Sequence, residues 1–187
     1  MLFNAVILAG GQSRRMGRDK AWLEVDGQPL IRRQIHLARV VGAAGVFISG
    51  RSRRGYSALK CPVLTDKFPK AGPLAGIECA LHAATSPLLL VLAVDLPCLT
   101  PSVLRDLLAR CTAHAGAIPR VNGQIEPLAA FYPRISHALA ASLLSAGNNA
   151  VRDFAQQCVQ QRLGVYVDLP PSAAAKFSNW NEPRDIG

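Results

Sequence analysis

A chain of 187 residues, half of them hydrophobic, is long enough for one domain with a sizeable core. The charged fraction of 18% is typical of a globular protein. No apolar run reaches the length of about 20 residues that crosses a bilayer, and the first residues lack the basic start of a signal peptide. These features argue against an integral membrane protein and predict a single cytoplasmic domain over residues 1–187.

The net charge of +9 predicts an anionic partner: a nucleic acid, a membrane surface or a phosphorylated small molecule. Arginines cluster at Arg14 to Arg18 and at Arg51 to Arg54, beside glycines. The chain has neither a basic helix interleaved with aromatic residues nor a polybasic tail. This distribution favours a small phosphorylated ligand and predicts no nucleic-acid or membrane partner.

The five cysteines and four histidines are spread singly along the chain. No Cys-x-x-Cys pair indicates a zinc, iron–sulfur or redox site, and no histidine has a second ligand-type residue at metal spacing. We therefore interpret the cysteines as buried or idle thiols and the histidines as core or helix-surface residues.

Hydrophobic periodicity predicts strands and helices that alternate along the chain. In chain order they are a strand at Asn4 to Ala9, a helix at Leu30 to Val41, strands at Gly45 to Ser49 and Pro62 to Thr65, a helix at Ile77 to Ala84 and a strand at Pro87 to Val94. They continue with a helix from Pro101 to about Arg110, a strand at Ala115 to Ile118, a β-excursion at Glu126 to Phe131, helices at Pro133 to Leu144 and Ala150 to Gln161, and a strand at Leu163 to Val167.

Glycine and proline mark the boundaries of these elements. Gly42 is placed to end the first helix, and Thr100 before Pro101 is a predicted helix N-cap. Asn122 followed by glycine is a hairpin signal. Two prolines and two glycines predict a loop over Phe68 to Gly76, and residues 50–55 are predicted to form an exposed turn.

This alternation predicts an α/β fold, in which helices cover both faces of a mostly parallel sheet in three layers. Ligands of such sheets bind outside the carboxyl ends of the strands. The strands that end near Leu8, Asp66 and Asp95 therefore place the chemistry at one edge of the sheet. We expect the strand before Asp95 to be central.

The stretch from Leu8 to Lys20, LAGGQSRRMGRDK, combines glycines with four cations directly after the first strand. Glycines let backbone amides approach a ligand, and arginine and lysine bind phosphate oxygens. Neither the Walker A pattern nor the dinucleotide G-x-G-x-x-G pattern is present, which argues against an ATPase and a dehydrogenase. The stretch predicts a different phosphate-binding loop; the alternative is a solvated basic turn.

Asp95 ends the strongest apolar strand, in the sequence VLAVDLP. An Asp that caps the next helix is one interpretation, but Thr100 already serves as the predicted cap. Because a carboxylate at a buried edge is costly without a cation, a bound Mg²⁺ is the better account. Asp66 is either a second carboxylate of this site or a turn residue. Together with the loop, these residues predict phosphoryl or nucleotidyl transfer.

Four short segments occur in a fixed order along nearly the whole chain. They are LAGGQSRRMGRDK after the first strand, GPLAG before a helix, VDLP after the central strand and FSNWNEP near the carboxyl terminus. In this order and spacing they resemble the nucleotidyltransferases of molybdenum cofactor biosynthesis, specifically the guanylyltransferases. The resemblance implies a Rossmann-like nucleotidyltransferase fold and an enzyme that transfers GMP from Mg-GTP to the terminal phosphate of molybdopterin, releasing pyrophosphate.

The resemblance also implies roles for individual residues. The nucleotide-binding residues are Leu8, Ala9, Gly10, Gly11, Lys20, Ser49, Asp66 and Asp95. The catalytic residues are Arg15 and Lys20, which bind the phosphates and stabilise the departing pyrophosphate, and Asp95, which ligates Mg²⁺. Ser49 stands where the family often has an asparagine; its hydroxyl can donate or accept a hydrogen bond but has a shorter reach.

The acceptor side is implied in the same way. Its substrate-binding residues are Gly72, Pro73 and Leu74, with Asn179 and Asn181 as an asparagine pair that helps to hold the pterin. The Glu126 to Leu128 segment matches a Pro-Leu segment of relatives and supports the fold only. GTP and molybdopterin are the implied substrates, and proteins that deliver molybdopterin or mature molybdoenzymes are candidate partners.

Three alternatives remain at this point. A cytidylyltransferase for molybdopterin, or another small-molecule nucleotidyltransferase of the same fold, would use a different nucleotide or acceptor; cytidylyltransferases more often have LAAG where this chain has LAGG. The missing β-carbon at Gly10 leaves more room for a purine and favours GTP. A non-catalytic nucleotide or pterin carrier would not need Asp95, and a nucleic-acid binder comes third.

Overall fold

The computed structural model of the protein describes residues 1–10, 20–50, 53–65, 67–68 and 71–180. Its strands are β1 (Phe3–Leu8), β2 (Glu24–Val25), β3 (Gln28–Pro29), β4 (Gly45–Ser49), β5 (Val63–Leu64), β6 (Leu88–Ala93), β7 (Gly116–Val121), β8 (Gln124–Ile125), β9 (Ala129–Pro133) and β10 (Gly164–Leu169). Its α-helices are α1 (Leu30–Val41), α2 (Arg53–Tyr56), α3 (Pro73–Ala83), α4 (Pro101–Leu108), α5 (His137–Ser145) and α6 (Val151–Gln160). Short 3₁₀ helices occur at Lys20–Trp22, Ser57–Leu59, Arg134–Ser136 and Pro171–Phe177.

One large sheet runs through the described part of the chain, in the order β10-β7-β9-β6-β1-β4-β5, with β8 paired to β7 off this path. β1 is parallel to both β4 and β6, whereas β9 is antiparallel to both β6 and β7. The predicted mostly parallel sheet is confirmed, with β9 as the antiparallel insertion. The strand before Asp95, β6, lies inside the sheet as predicted.

Side chains of the central strands alternate between two cores, one on each face of the sheet. In β1, Ile7 packs on the face covered by α1 and α4, and Val6 packs on the face covered by α3, α5 and α6. Leu90 and Val91 divide in the same way in β6. Strands buried on both faces are largely apolar, which is why β6 is a continuous apolar run and β1 is apolar except at Asn4, whose buried amide oxygen accepts the Thr85 and Ser86 amides. The three-layer α/β/α arrangement is therefore confirmed.

Several predicted boundaries agree with the structure. The first helix begins at Leu30 and ends at Val41, and Gly42 closes it with a φ of 106°. The hairpin at Asn122 and Gly123 has positive φ at both residues, as the two-residue turn signal predicts. Of the helices in the described ranges, none combines the length and apolar character that a membrane crossing requires.

Two local predictions were wrong. The predicted loop from Phe68 to Gly76 ends early, because α3 already begins at Pro73, where the missing proline N–H costs nothing. Residues 53–56 form the short helix α2 inside the predicted turn. The predicted N-cap of α4 is confirmed at Thr100, although its hydroxyl makes no cap hydrogen bond and lies 3.0 Å from the Ser102 hydroxyl.

All five cysteines lie in described ranges and are free thiols. Burial raises the pKa of the Cys111 and Cys158 thiols to about 12, so both stay protonated at neutral pH. Cys98 is exposed.

Candidate active site

Three strand ends meet at the carboxyl edge of the sheet. Leu8, the last residue of β1, pairs with Ser49 of β4 on one side and with Ala93 of β6 on the other. Beyond the strands, the Ala9 amide donates to the Ser49 carbonyl at 2.8 Å, and the Val94 amide donates to the Leu8 carbonyl at 3.2 Å. Predicted nucleotide contacts from two strands therefore lie side by side, next to the turn that follows β6.

Lys20 and Asp95 face each other across this edge. Lys20 Nζ lies 3.7 Å from Oδ2 of Asp95, and the two side chains are 22% and 24% exposed. Lys20 begins a 3₁₀ helix whose next residue, Ala21, is fully buried and anchors it to the core. The structure thus brings together two of the three predicted catalytic residues, which are far apart in the sequence, in a position that a ligand can reach.

Aromatic packing holds the Lys20 helix against the end of β4. The ring of Trp22 stacks on that of Tyr56, with ring centres 6.1 Å apart and an interplanar angle of 18°. Tyr56 is buried, and a β-carbon at Gly50 would come within 2.5 Å of its ring. Gly50 is therefore a glycine because the Tyr56 ring occupies the space that any side chain would need.

The turn that carries Asp95 is fixed by backbone hydrogen bonds from distant segments. The Ala93 amide donates to the Leu128 carbonyl at 2.8 Å, which ties the turn to the strand on the acceptor side. The carbonyl of Asp95 itself accepts the Trp180 amide at 3.0 Å. A well-fixed backbone with a partly exposed carboxylate suits a residue that must present its oxygens to a ligand.

Asn179, a predicted acceptor contact, is exposed directly before Trp180. The Phe177 side chain is buried in the core and holds this segment on the protein. The bond between Trp180 and Asp95 therefore brings the predicted pterin-binding segment to the predicted metal ligand. Four predicted site residues, Gly11, Arg15, Asp66 and Asn181, lie outside the described residues, and their roles stay predictions.

The GPLAG segment forms the start of α3 at the same edge. Gly72 is the N-cap, with a φ of 72° that favours glycine, and Leu74 is fully buried. A β-carbon at Gly76 would lie 2.3 Å from the Ser49 hydroxyl oxygen and 3.0 Å from a methyl group of Leu8. The absent side chain therefore lets the first turn of α3, in which the Ala75 amide donates to the Gly72 carbonyl at 3.3 Å, approach the predicted nucleotide contacts.

Gly10 is exposed at the end of the described part of the loop. A β-carbon there would meet its nearest described neighbours, Gly50 Cα and the Ser49 carbonyl oxygen, at 3.8 and 3.9 Å, which are ordinary contact distances. The described part of the scaffold would therefore accept an alanine at this position without a clash.

Gln34 is a buried polar residue beside the turn that the sequence analysis missed. Its Nε2 donates to the carbonyl of Leu96, the residue after Asp95, at 2.7 Å. The signal was present in the sequence: Gln34 falls four residues after Leu30 and three after Ile31, on the apolar stripe of α1, where a polar side chain is buried.

Glu126 lies on the acceptor side of the turn, in the segment that precedes β9. Its side chain is half-buried, and this burial raises the pKa of the carboxyl, while the positive charge of Arg152 partly offsets the rise. The next residue, Pro127, accepts a hydrogen bond from the Tyr132 hydroxyl at 2.8 Å. The Tyr132 hydroxyl thus fixes this segment against β9.

A second polar cluster lies near the amino end of β6. Nε2 of His137 is 2.8 Å from Oε1 of the buried Glu78, and the rings of His137 and His82 are 5.2 Å apart. A cavity of about 400 Å³ adjoins the histidines and Arg134. The sequence reasoning treated these histidines as isolated, because helix packing rather than sequence spacing brings them together.

The comparisons with known proteins agree with this geometry. The family model of the MobA-like NTP transferase domain matches residues 5–162, which include most of β1 and all of β2 to β9. The chain belongs to the MobA-like NTP transferase family. The predicted enzyme class, a nucleotidyltransferase, is therefore confirmed, and a non-catalytic carrier is no longer favoured.

Within this family, the chain groups with the molybdenum cofactor guanylyltransferases. It is 40% identical over 182 residues to a probable molybdenum cofactor guanylyltransferase of Opitutus terrae, covering 96% of this chain and 90% of that relative. This relative confirms the family resemblance that the four sequence segments predicted.

Solved structures of the same fold agree as well. The molybdopterin-guanine dinucleotide biosynthesis protein A of Archaeoglobus fulgidus has a TM-score of 0.74 at 23% identity, over 98% of this chain and 94% of that one. Rv0371c of Mycobacterium tuberculosis, in a complex with manganese, has a TM-score of 0.68 at 16% identity, over 100% of this chain and 98% of that one. At these identities the likeness shows the nucleotidyltransferase fold alone.

Proposed function

We propose that this MobA-like protein transfers GMP from GTP to the terminal phosphate of molybdopterin and releases pyrophosphate. The observation that carries the proposal is the Lys20–Asp95 pair at the carboxyl edge of the sheet. A cation and a carboxylate lie close together in this pair, and the Val94 amide just before Asp95 donates to the Leu8 carbonyl; both observations support roles for Lys20 toward phosphate oxygens and for Asp95 toward a metal. The names of the full-length relatives support the choice of substrates.

Asp95 is suited to hold a divalent cation. Its carboxylate is partly exposed at a strand end, and hard oxygen donors are the ligands that Mg²⁺ prefers. In the described part of the chain, no group of three or more His, Cys, Asp or Glu side chains is placed to hold a metal. A magnesium site of this class does not need one, since one or two carboxylates together with substrate phosphates are sufficient. We propose Mg²⁺ as the metal.

The proposed reaction needs no protein nucleophile. An oxygen of the molybdopterin phosphate attacks the α-phosphorus of GTP, a new phosphorus–oxygen bond forms, and the bond to the β-phosphate breaks as pyrophosphate leaves. Mg²⁺ would offset the charge that develops on the phosphate oxygens. Lys20 would move from the Asp95 carboxylate to the departing phosphates, and Arg15 is proposed to assist it.

The amino end of α3, which lies at the same edge, would favour an anion through the helix dipole. Asn179, held beside Asp95 through Trp180, is proposed to contact the pterin. This arrangement would place acceptor and nucleotide on opposite sides of one carboxylate, so that binding the two substrates supplies most of the alignment that the reaction requires.

We propose GTP rather than CTP because Gly10 has no β-carbon beside the predicted base position, which leaves more room for a purine than an alanine would. Cytoplasmic localisation, a protein that delivers molybdopterin and a protein that receives the product stay predictions. The test is release of pyrophosphate from purified protein with molybdopterin, Mg²⁺ and either GTP or CTP. Release with GTP supports the proposal, faster release with CTP overturns the choice of base, and no release with either nucleotide overturns the proposed reaction.

The variant Gly10→Ala sharpens the choice of base. Because the scaffold accepts the extra methyl group, the variant is expected to fold and to lose GTP turnover more than CTP turnover. An equal loss with both nucleotides would remove Gly10 from base selection.

A further inference from the structure

The buried side-chain amide of Gln34, on helix α1, makes a hydrogen bond to the turn that follows β6 and carries Asp95. Gln34 is 1% exposed, and its Nε2 donates to the Leu96 carbonyl at 2.7 Å across 62 positions of sequence. The same carbonyl also accepts the Leu99 amide at the longer distance of 3.3 Å. The side-chain bond is thus the shorter of the two contacts on the residue that follows Asp95.

The side-chain amide of Gln34 is only partly hydrogen-bonded in the core. Oε1 of Gln34 is buried without a hydrogen-bond partner among the described residues. Burying an unpaired amide oxygen lowers stability, whereas an apolar residue on the same stripe of α1 would raise it. The hydrogen bond to the turn is therefore the favourable contact that this polar side chain makes within the described structure, and it points to a role in the site.

The contacts of the turn show what that role is. The backbone before Asp95 is tied to neighbouring strands through Ala93 and Val94, and the Asp95 carbonyl is tied to Trp180. After Asp95, the Gln34 amide fixes Leu96. Anchors on both sides of a residue limit rotation of its backbone and so fix the direction in which its Cα–Cβ bond leaves the chain.

We propose that Gln34 is a positioning residue, which holds the turn so that the Asp95 carboxylate faces Lys20 and the metal-bound nucleotide. This inference rests on the proposed function, because it concerns the carboxylate proposed to hold Mg²⁺. Residues that orient a metal ligand through hydrogen bonds typically contribute a factor of about 10 to 100 in metal affinity or activity.

The test compares Gln34→Met with Ile35→Val. The methionine keeps the length and burial of residue 34 but cannot donate to Leu96. The valine removes one methyl group from the next residue of α1, which is buried and makes no side-chain hydrogen bond to the turn. The pair separates loss of positioning from general weakening of the helix.

Two readouts are measured for each variant. The first is binding of GTP over a range of Mg²⁺ concentrations, followed by the fluorescence of the two tryptophans, Trp22 and Trp180, which flank Lys20 and Asp95. The second is the thermal unfolding midpoint. We expect Gln34→Met to raise the Mg²⁺ concentration for half-saturation by about 10- to 100-fold, and Ile35→Val to leave it unchanged.

The proposal is overturned if Gln34→Met keeps the wild-type Mg²⁺ dependence, or if Ile35→Val shifts it equally at a similar loss of thermal stability. Should the methionine variant not fold, Gln34→Asn, whose amide is too short to reach Leu96, must give the same shift. Asp95→Asn is titrated in parallel. If it keeps the wild-type Mg²⁺ dependence, the proposed metal site itself has failed; if it loses that dependence while Gln34→Met keeps it, only the positioning role has failed.

Discussion

Polar pairs of opposite character lie near the two ends of the central strand β6. At the carboxyl end, Lys20 and Asp95 are 3.7 Å apart, and each side chain is about a quarter exposed. Near the amino end, Glu78 and His137 are in hydrogen-bond contact at 2.8 Å, with the carboxylate 3% exposed and the histidine 32% exposed. The short contact to a buried carboxylate joins α3 to α5 and belongs to the packing, whereas the longer, accessible pair leaves both groups able to exchange partners.

In this fold, therefore, the groups that stabilise the packing and the groups that are accessible to a ligand lie at different ends of β6. The charged groups at the carboxyl end are held by their backbones and leave their side-chain atoms accessible, so a ligand can replace one partner. At the amino end the side chains themselves make the tight contact. We therefore expect substitutions at the carboxyl end to change turnover and substitutions at the amino end to change stability.

Asp95→Asn should give the largest effect. It removes the charge that would hold the metal, while the backbone bond to Trp180 is retained. We expect turnover to fall by at least about a thousandfold, since a metal supplies several kcal/mol of charge stabilisation, with an unchanged thermal unfolding midpoint. Asp26→Asn, which alters an exposed aspartate paired with Arg33 at 3.3 Å, is the matched control. An active Asp95→Asn enzyme would remove the metal assignment.

Lys20→Ala should follow. Loss of a cation that stabilises the departing pyrophosphate is expected to lower kcat by about a hundredfold or more, with little change in the free energy of unfolding because the pair is loose and accessible. Arg33→Ala, at the cation of the control pair, should keep its kcat. Steady-state kinetics of both variants decide the point, and normal kinetics of Lys20→Ala would exclude it from the site.

Gly76→Ala tests the contact between α3 and β4, where one substitution should change both stability and nucleotide binding. The added β-carbon would overlap the Ser49 hydroxyl, so the free energy of unfolding should fall by about 1–3 kcal/mol, together with nucleotide affinity. Urea denaturation and GTP titration measure these losses. Gly55→Ala, where a β-carbon meets no described atom within 4 Å, is the control. Adding Ser49→Ala should recover part of the lost stability, and no recovery would contradict the proposed overlap.

Glu78→Ala tests the amino end. It breaks the bond to His137 but also removes Oε2, which is buried without a partner in the described structure. These effects oppose each other, so we expect a net loss of about 1 kcal/mol in the free energy of unfolding and an unchanged kcat. A lowered kcat with normal stability would contradict the expectation that residues at the amino end of β6 affect stability alone.

Glu126→Gln should give the smallest effect. Burial raises the pKa of this carboxyl, so the charged form present at neutral pH is the one that the fold disfavours. The wild-type protein therefore loses stability relative to the glutamine variant as pH rises through the raised pKa, and the difference vanishes below the ordinary glutamate range. Thermal unfolding of both proteins at neutral and acidic pH measures this difference in stability. A wild-type protein that is more stable than the variant only at neutral pH would contradict the burial effect.

The sequence predicted the order of strands and helices well, because continuous apolar runs such as β6 and stop signals such as Gly42 act locally. The start of α3 was missed because Pro73 and Gly76 are loop formers by composition. Only the contact of Gly76 with Ser49 explains why glycine suits a helix at that position. Gln34 was missed because its partner, the Leu96 carbonyl, lies in a different part of the chain.

By itself, the sequence determined the fold class, the nucleotidyltransferase family and the residue types at the site, since these follow from hydrophobic periodicity and from short ordered segments. Only the tertiary structure decided which residues meet. It joined Lys20 to Asp95, tied the turn to Gln34 and Trp180, and paired Glu78 with His137. The physical reason is that parallel pairing and helix packing set these distances, and neither is encoded in the spacing of residues along the chain.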